Sequence, residues 1–274
     1  MGDLEKATRL DPVGTLAWNT VLDDQWRIGA KMHGGYLVAL LARAAVEAAR
    51  TTTGGRPGHV RPESVTTTFL RAPDPGPALV TADLLRSGRG ASQVRVRLEQ
   101  DATPCVEGTA ILGPPTPPPP GGDEVVPPPV EVAPFDDCPR SPGGGGDGRG
   151  SLPIMDVMDV RLDPASTGFL TGRPRGEGRL SGWVATADGS PWDALGVLVA
   201  LDVLPPATFD LGLAGWSPTM SLTAHVHADP VHGPLRATQW VDHAVGDRMH
   251  ETCRLWDATG RLVGQSNQLA AIRR

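Results

Sequence analysis

"KMHGGYLVALLARAAVEAAR", Lys31 to Arg50, decides the architecture. Past the histidine and two glycines the run is apolar almost all the way round. Arg43, Glu47 and Arg50 interrupt it, at spacings of four and three that place them on one stripe of a helix. A helix lying on a protein surface carries one apolar stripe; this one carries one polar stripe, so it must be wrapped on most of its circumference. The question is what wraps it.

The segments downstream supply the wrapping. "SVTTTFL" and "QVRVRLE" alternate with period two, the pattern of strands with one buried face. The spacing predicts strands at 64–71, 78–86, 92–99 and 105–112, with a turn at Gly88–Gly90. Shifting the chain by 157 residues brings a second set into line. Trp26 falls on Trp183, and the helix from Tyr36 falls on "DALGVLVALDVLPP" from Asp193. "SVTTTFLRAP" falls on "SLTAHVHADP", Arg97–Leu98 on Arg254–Leu255, and "CVEGTAIL" on "LVGQSNQL". The common offset points to a duplication. The second set predicts a helix over 193–204, capped by Asp193 and stopped by Pro205–Pro206, with strands at 221–228, 235–243, 249–257 and 262–272. Each half is then one long helix and a curved antiparallel sheet around it, and tandem fusion would set the two sheets edge to edge. This is an α+β fold.

Between the halves lies "GPPTPPPPGGDEVVPPPVEVAP", then "SPGGGGDGRG". Proline lacks the donor that ladders and helices need, so 114–150 reads as a solvated linker between an N-terminal unit, 1–113, and a C-terminal unit, 151–274. Deletion of Pro117–Gly122 is expected to leave the melting transition almost unchanged.

Composition narrows the function. Formal net charge is −6 with no basic block, which argues against a nucleic-acid partner. Of the 25 basic residues only Lys6 and Lys31 are lysine. No apolar run is long enough for a membrane span, and "MGDLEKATRL" has no signal-peptide core. Cys105, Cys138 and Cys253 form no CxxC pair, which suits a reducing compartment. The expectation is a cytoplasmic protein with neither metal nor cofactor.

The segments "HGGYLVALLARA", "FLRAPDPGP", "SGWVATADGSPWDALGVLVALDVLPP" and "LWDATGRLVGQSNQLA" resemble the thioesterase-like superfamily. More narrowly, they resemble the tandem, or double hotdog, proteins related to acyl-CoA thioesterase II. The resemblance covers both halves but not the linker. It implies a pseudo-dimer of hotdog units, an acyl-CoA or acyl-carrier-protein thioester as the partner, hydrolysis as the reaction, and a homo-oligomer. It also implies an Asp, a Thr and a Gln from the second half holding the attacking water, opposite a Gly-Gly helix start. Carried over by residue, Gly34–Gly35 match the helix start and Gln268 matches the Gln. The Asp position falls on Ser221 and the Thr position near Val241–Asp242.

The chemistry of these residues agrees. A helix N-terminus offers unpaired N–H groups and the positive end of a dipole, and glycine admits a carbonyl oxygen close to the backbone. Gly34 and Gly35 therefore suit an oxyanion site, with close helix–sheet packing as the plainer role. His33, at the same point, suits positioning of a substrate carbonyl more than general-base catalysis. Gln268 can orient water through its amide but is no base. Ser221 and Thr223 share a strand face with His225, and either hydroxyl can hold water, though neither replaces a carboxylate. That gap favours an alternative: an acyl-binding or remodelled hotdog protein, dehydratase- or cyclase-like, that does not hydrolyse. Asp193 is most simply a cap. It also marks a second, symmetry-related site that can face Glu63, Ser64 or Thr109. "HVHADPVH" lacks a closing ligand cluster for a metal. "GQSNQ" lacks the second glycine of a nucleophile elbow, and "GRG" at Arg89 is too short for a dinucleotide loop.

Overall fold

The computed structural model of the chain describes residues 2–52, 58–114, 127–143, 152–213 and 215–273. In the first half α1 (Asp3–Ala7), β1 (Asp11–Gly14), β2 (Ala17–Leu22) and the short pair β3 (Arg27–Ile28) and β4 (Lys31–Met32) lead to α2 (Gly34–Thr52). Then come β5 (Arg61–Phe69), β6 (Gly76–Ser87), β7 (Ser92–Gln100) and β8 (Thr103–Gly113). In the second half α3 (Ile154–Val157), β9 (Met158–Leu162) and β10 (Arg179–Thr186) precede α4 (Ala194–Ala200). It closes with β11 (Thr219–Val226), β12 (Leu235–Val245), β13 (Arg248–Trp256) and β14 (Leu262–Ala271).

Apart from the β3–β4 pair, these strands form one antiparallel sheet of 12, in the order β1-β2-β6-β7-β8-β5-β11-β14-β13-β12-β10-β9. The order reads the same from either end once halves are exchanged. The centre of the sheet is the β5–β11 pairing, and there Thr66 pairs with Thr223. Their hydroxyls are 3.2 Å apart, and the two residues are 157 apart in sequence. The repeat offset is thus the chain's own twofold relation, with its axis at that pair. α2 and α4 lie side by side in the concavity of the sheet, where thirteen residues of α2 are buried. The polar stripe has its own uses: Arg43 Nε donates to Thr8 Oγ1 at 2.9 Å, and Arg50 pairs with Glu47 at 2.9 Å. This is the double hotdog architecture, and its core is the α2–α4 layer against the inner sheet face.

Three expectations need correcting. The second helix ends at Ala200, not at 204. Its last turn tightens, Asp202 N donating to Val199 O at 3.1 Å, and Ser266 Oγ takes the Leu201 carbonyl at 3.1 Å. The chain leaves the helix axis before the prolines. Trp26 is not the structural partner of Trp183. It sits in the 3-10 turn Asp24–Trp26, stacked on Tyr36 at 5.4 Å, whereas Trp183 lies within β10.

The third concerns 114–150. Pro117–Gly122 lies outside the described residues, but 127–143 is no free linker. It crosses the outer face of the second-half sheet, over a cross-strand row formed by Arg161, Trp183, Arg236 and Trp256. The indoles of Trp256 and Trp183 donate to the carbonyls of Pro127 (3.3 Å) and Ala133 (2.8 Å), and Arg236 donates to Val130 O at 3.2 Å. The Arg161 guanidinium lies 4.0 Å from the centre of the Phe135 ring. A proline-rich segment without a ladder of its own is satisfied by side chains reaching up from the strands below.

Candidate active site

At the entry to α2, His33 is the N-cap: Leu37 N donates to its carbonyl at 3.2 Å, and Tyr36 N to its Nδ1 at 3.3 Å. With Nδ1 accepting, Nε2 carries the ring proton and donates to the Asp202 carbonyl at 2.9 Å. The same nitrogen is 3.6 Å from Asp202 Oδ2. Gly35 N donates to that carboxylate oxygen at 2.7 Å. The helix start of the first half is therefore closed by a carboxylate from the end of the second half's helix. Burial pushes the Asp202 carboxyl above the ordinary range, while the His33 ring and the Gly35 N–H pull against it.

Gly34 and Gly35 are glycine for steric reasons. A Cβ on Gly35 would lie 2.9 Å from Val199 O and 3.0 Å from Asp202 Cβ; one on Gly34 would lie 2.7 Å from Asp202 Oδ2. The packing role set beside the oxyanion role is thus present, and the Gly35 donor is engaged by Asp202.

The wall beyond Asp202 is the inner face of β12, β13 and β14. Ser266 holds Leu201 O, and two residues along the same face stands Gln268. Gln268 Nε2 donates to Glu251 Oε2 at 2.6 Å, and Thr219 Oγ1 donates to Gln268 Oε1 at 2.8 Å. The other oxygen of Glu251 receives the backbone N–H of Ala207 at 2.6 Å. Gln239, which also bonds Glu251, donates to Pro205 O at 3.0 Å. Glu251 is 1% exposed, and burial pushes its carboxyl up to about 7 despite the bonds to Ala207, Gln239 and Gln268; Asp202 is near enough to push it further. Cys253, next on that face, has its thiol pushed well up by burial.

Of the residues singled out in the sequence, the structure brings His33, Gly34, Gly35 and Gln268 to this place. Ser221 and Thr223 go elsewhere. In β11 it is Leu222, Ala224 and Val226 that face the helices, and Thr223 bonds Thr66 on the outer face. Thr219, not Val241 or Asp242, supplies the hydroxyl beside Gln268. Asp193 caps α4, accepting from Gly196 N at 2.8 Å. Glu63 pairs with Arg61, and Thr109 is exposed on the outer face.

The second, symmetry-related location is apolar. Val94 pairs with Ala110 as Glu251 pairs with Gln268, and Ala82 stands opposite Val96 as Gln239 stands opposite Cys253. Glutamate and both glutamines thus have valine and alanines as counterparts, all buried. Among the buried strand residues, the acid Glu251 and the amide Gln239 lie in the second half.

Among the described residues no group of three or more His, Cys, Asp or Glu is placed to hold a metal, and no helix is long and apolar enough to cross a membrane.

The model of the acyl-CoA thioesterase N-terminal domain matches residues 22–113, and that of the C-terminal domain matches residues 135–272. The chain belongs to the acyl-CoA thioesterase family. The C-terminal match opens at Phe135, within the segment 127–143 that straps the outer face of the sheet. This thioesterase-family chain is 32% identical to an uncharacterised protein of Mycobacterium tuberculosis, over 92% of this chain and 89% of that one. Among solved structures it is similar to a candidate thioesterase II from Thermobifida fusca, with 28% identity, a TM-score of 0.86, and 100% and 98% of the two chains covered. An acyl-CoA thioesterase II from Mycobacterium marinum shares the fold at 17% identity, a TM-score of 0.69, and 98% of each chain.

Two residues of the candidate site, Asp202 and Glu251, escaped the sequence reading. Both had a signal. Asp202 is the one charge inside "LGVLVALDVLPP". Glu251 is in phase with Met249, Cys253 and Leu255 on the buried side of an alternating strand.

Proposed function

We propose that the chain hydrolyses an acyl thioester of coenzyme A or of an acyl carrier protein, at the α2 start facing Thr219, Gln268 and Asp202. The observation that carries this reading is the Asp202 carboxylate on the Gly35 N–H. It supplies the base that Ser221 lacks, and so removes the reason for preferring a non-hydrolytic protein.

In this reading Thr219 and Gln268 hold a water beside Asp202. The water oxygen attacks the thioester carbonyl while its proton passes to Asp202. The carbonyl oxygen becomes an oxyanion at the helix start, held by Gly34 N–H and by Gly35 N–H shared with Asp202. The carbon–sulfur bond then breaks, and the departing thiolate takes up the proton. A carboxyl raised above its ordinary value is a stronger base once ionised. His33, with both ring nitrogens engaged, positions Asp202 rather than moving protons. The chain acts as a homo-oligomer, a reading supported by exposed Trp216, Met220, Leu70 and Val245.

Release of free thiol from acyl-CoAs of graded length is the test, with Asp202→Asn as control. A second reading rests on the His33–Asp202 contact across the halves: loss of water from a 3-hydroxyacyl thioester, with Asp202 taking the α-proton and returning it to the departing hydroxyl. Enoyl product without thiol release would select it.

A further inference from the structure

Three bonds of the polar wall run in series or directly toward Glu251. Ala207 N–H donates to one oxygen, and Gln268 Nε2 donates to the other. Thr219 donates in turn to Gln268 Oε1. An ionised carboxylate accepts only, so it obliges Gln268 to present its NH2. The amide oxygen then faces Thr219, and the threonine hydrogen is committed to it. What remains for a water is the second N–H of Gln268 and the lone pairs of Thr219. A protonated Glu251 would donate instead. Gln268 would present its oxygen to Glu251 and its NH2 to Thr219, and Thr219 would become an acceptor there with its hydrogen free. One proton on Glu251 thus reverses the whole chain.

We propose that Glu251 is a positioning residue that sets which way the Gln268 amide and the Thr219 hydroxyl face, and that its protonation turns the water-holding arrangement off. This rests on the hydrolytic reading for its effect on turnover, but not for the reversal itself. Glu251 is 1% exposed and lies behind Gln268. The groups that face it are Gln268 from β14, Gln239 from β12, Ala207 N–H from the turn after α4, Asp202, and the Cys253 thiol on its own strand; His33 acts on it only through Asp202. Burial dominates and pushes its carboxyl up to about 7, while the bonds from Ala207, Gln239 and Gln268 lower it and Asp202 raises it. The symmetry-related position carries Val94, which has no such function.

Isotope-edited side-chain amide NMR of the full chain reads the reversal directly, with the Gln268 pair assigned by its loss in Gln268→Leu. In the wild type the pair is expected to move between two positions with a midpoint of about 7. Glu251→Gln, whose own NH2 faces Gln268 once its oxygen takes Ala207 N–H, should hold the pair at the low-pH position throughout. A flat wild-type signal overturns the proposal, even if the variant fails to fold; so does a titration that persists in a folded Glu251→Gln. For turnover, Glu251→Gln should lower kcat about tenfold or more, with KM within about twofold, at alkaline pH. Glu251→Asp should restore part of the loss and keep a pH-dependent limb. Turnover equal to wild type in Glu251→Gln also overturns the proposal. If no acyl-CoA or carrier-linked acyl chain is hydrolysed by the wild type, the hydrolytic reading fails, while the amide titration still decides the role of Glu251.

Discussion

Asp202 and Glu251 are both buried acids, and they differ in what surrounds them. Asp202 has a helix N-terminus and an imidazole beside it; Glu251 has amides and one backbone N–H. Burial pushes both carboxyls up, and the hydrogen bonds each accepts pull against it. Asp202→Asn keeps the shape but removes the base, so turnover of a responsive acyl-CoA should fall by about a hundredfold or more, with the thermal transition nearly in place. Free-thiol release and a melt on the same preparation check it. Glu251 makes the complementary prediction for stability. Its carboxyl rises from an ordinary 4.5 to about 7 on folding, so the native state binds the extra proton between those values. Stability therefore falls as pH rises through that window, by up to roughly 3 kcal/mol. Glu251→Gln has no such penalty. The gap between variant and wild-type melting temperatures should widen in the variant's favour from acid to alkaline pH. A constant gap would count against the buried titration.

At the scale of elements, the contact of α2 with α4 depends on bare backbone. Gly35→Ala would force Val199 O, Asp202 and the His33 ring apart. Overpacking of this kind typically costs about 1–3 kcal/mol, and here it should also lower turnover, since Asp202 is displaced. A melt and an activity measurement should move together. The elements themselves were legible. All-round apolarity gave α2, and period-two alternation gave eight of the strands to within a few residues. The end of α4 was not, because helix propensity and an apolar run continue through "ALDVLPP" while the tertiary bond from Ser266 to Leu201 O ends the helix early. Asp202 was hidden by that error: within a helix to residue 204 it is a solvent-side charge, whereas beyond a helix ending at Ala200 it is free to turn toward α2. Ser221 came from carrying the family's Asp position over onto β11, whereas the carboxylate at the α2 start comes from the end of a helix.

The whole molecule depends on a strap as well as on its sheet. The composition of 114–150 suggested a solvated tether, and composition is blind to indoles and guanidinium groups that reach the segment from 26 to 129 residues away. Trp183→Ala removes the donor to Ala133 O and the ring under Arg236. A loss of about 1–3 kcal/mol, or a fall of several degrees in melting temperature, is expected. An unchanged melt would show that the strap contributes nothing. Light scattering checks the oligomer, and a clean 28.7 kDa species would exclude it.

The contact between Thr66 and Thr223 has one more consequence. Where two identical chains meet on such an axis, every substitution arrives twice, and each site must carry whatever the other carries. Here the axis runs through one chain, and each codon is read at one of the two places. A glutamate can enter at 251 while its counterpart at 94 stays valine, so the load of burying acids falls on one side and the other keeps a dry core. Inheritance, in this chain, can treat the two halves as different proteins.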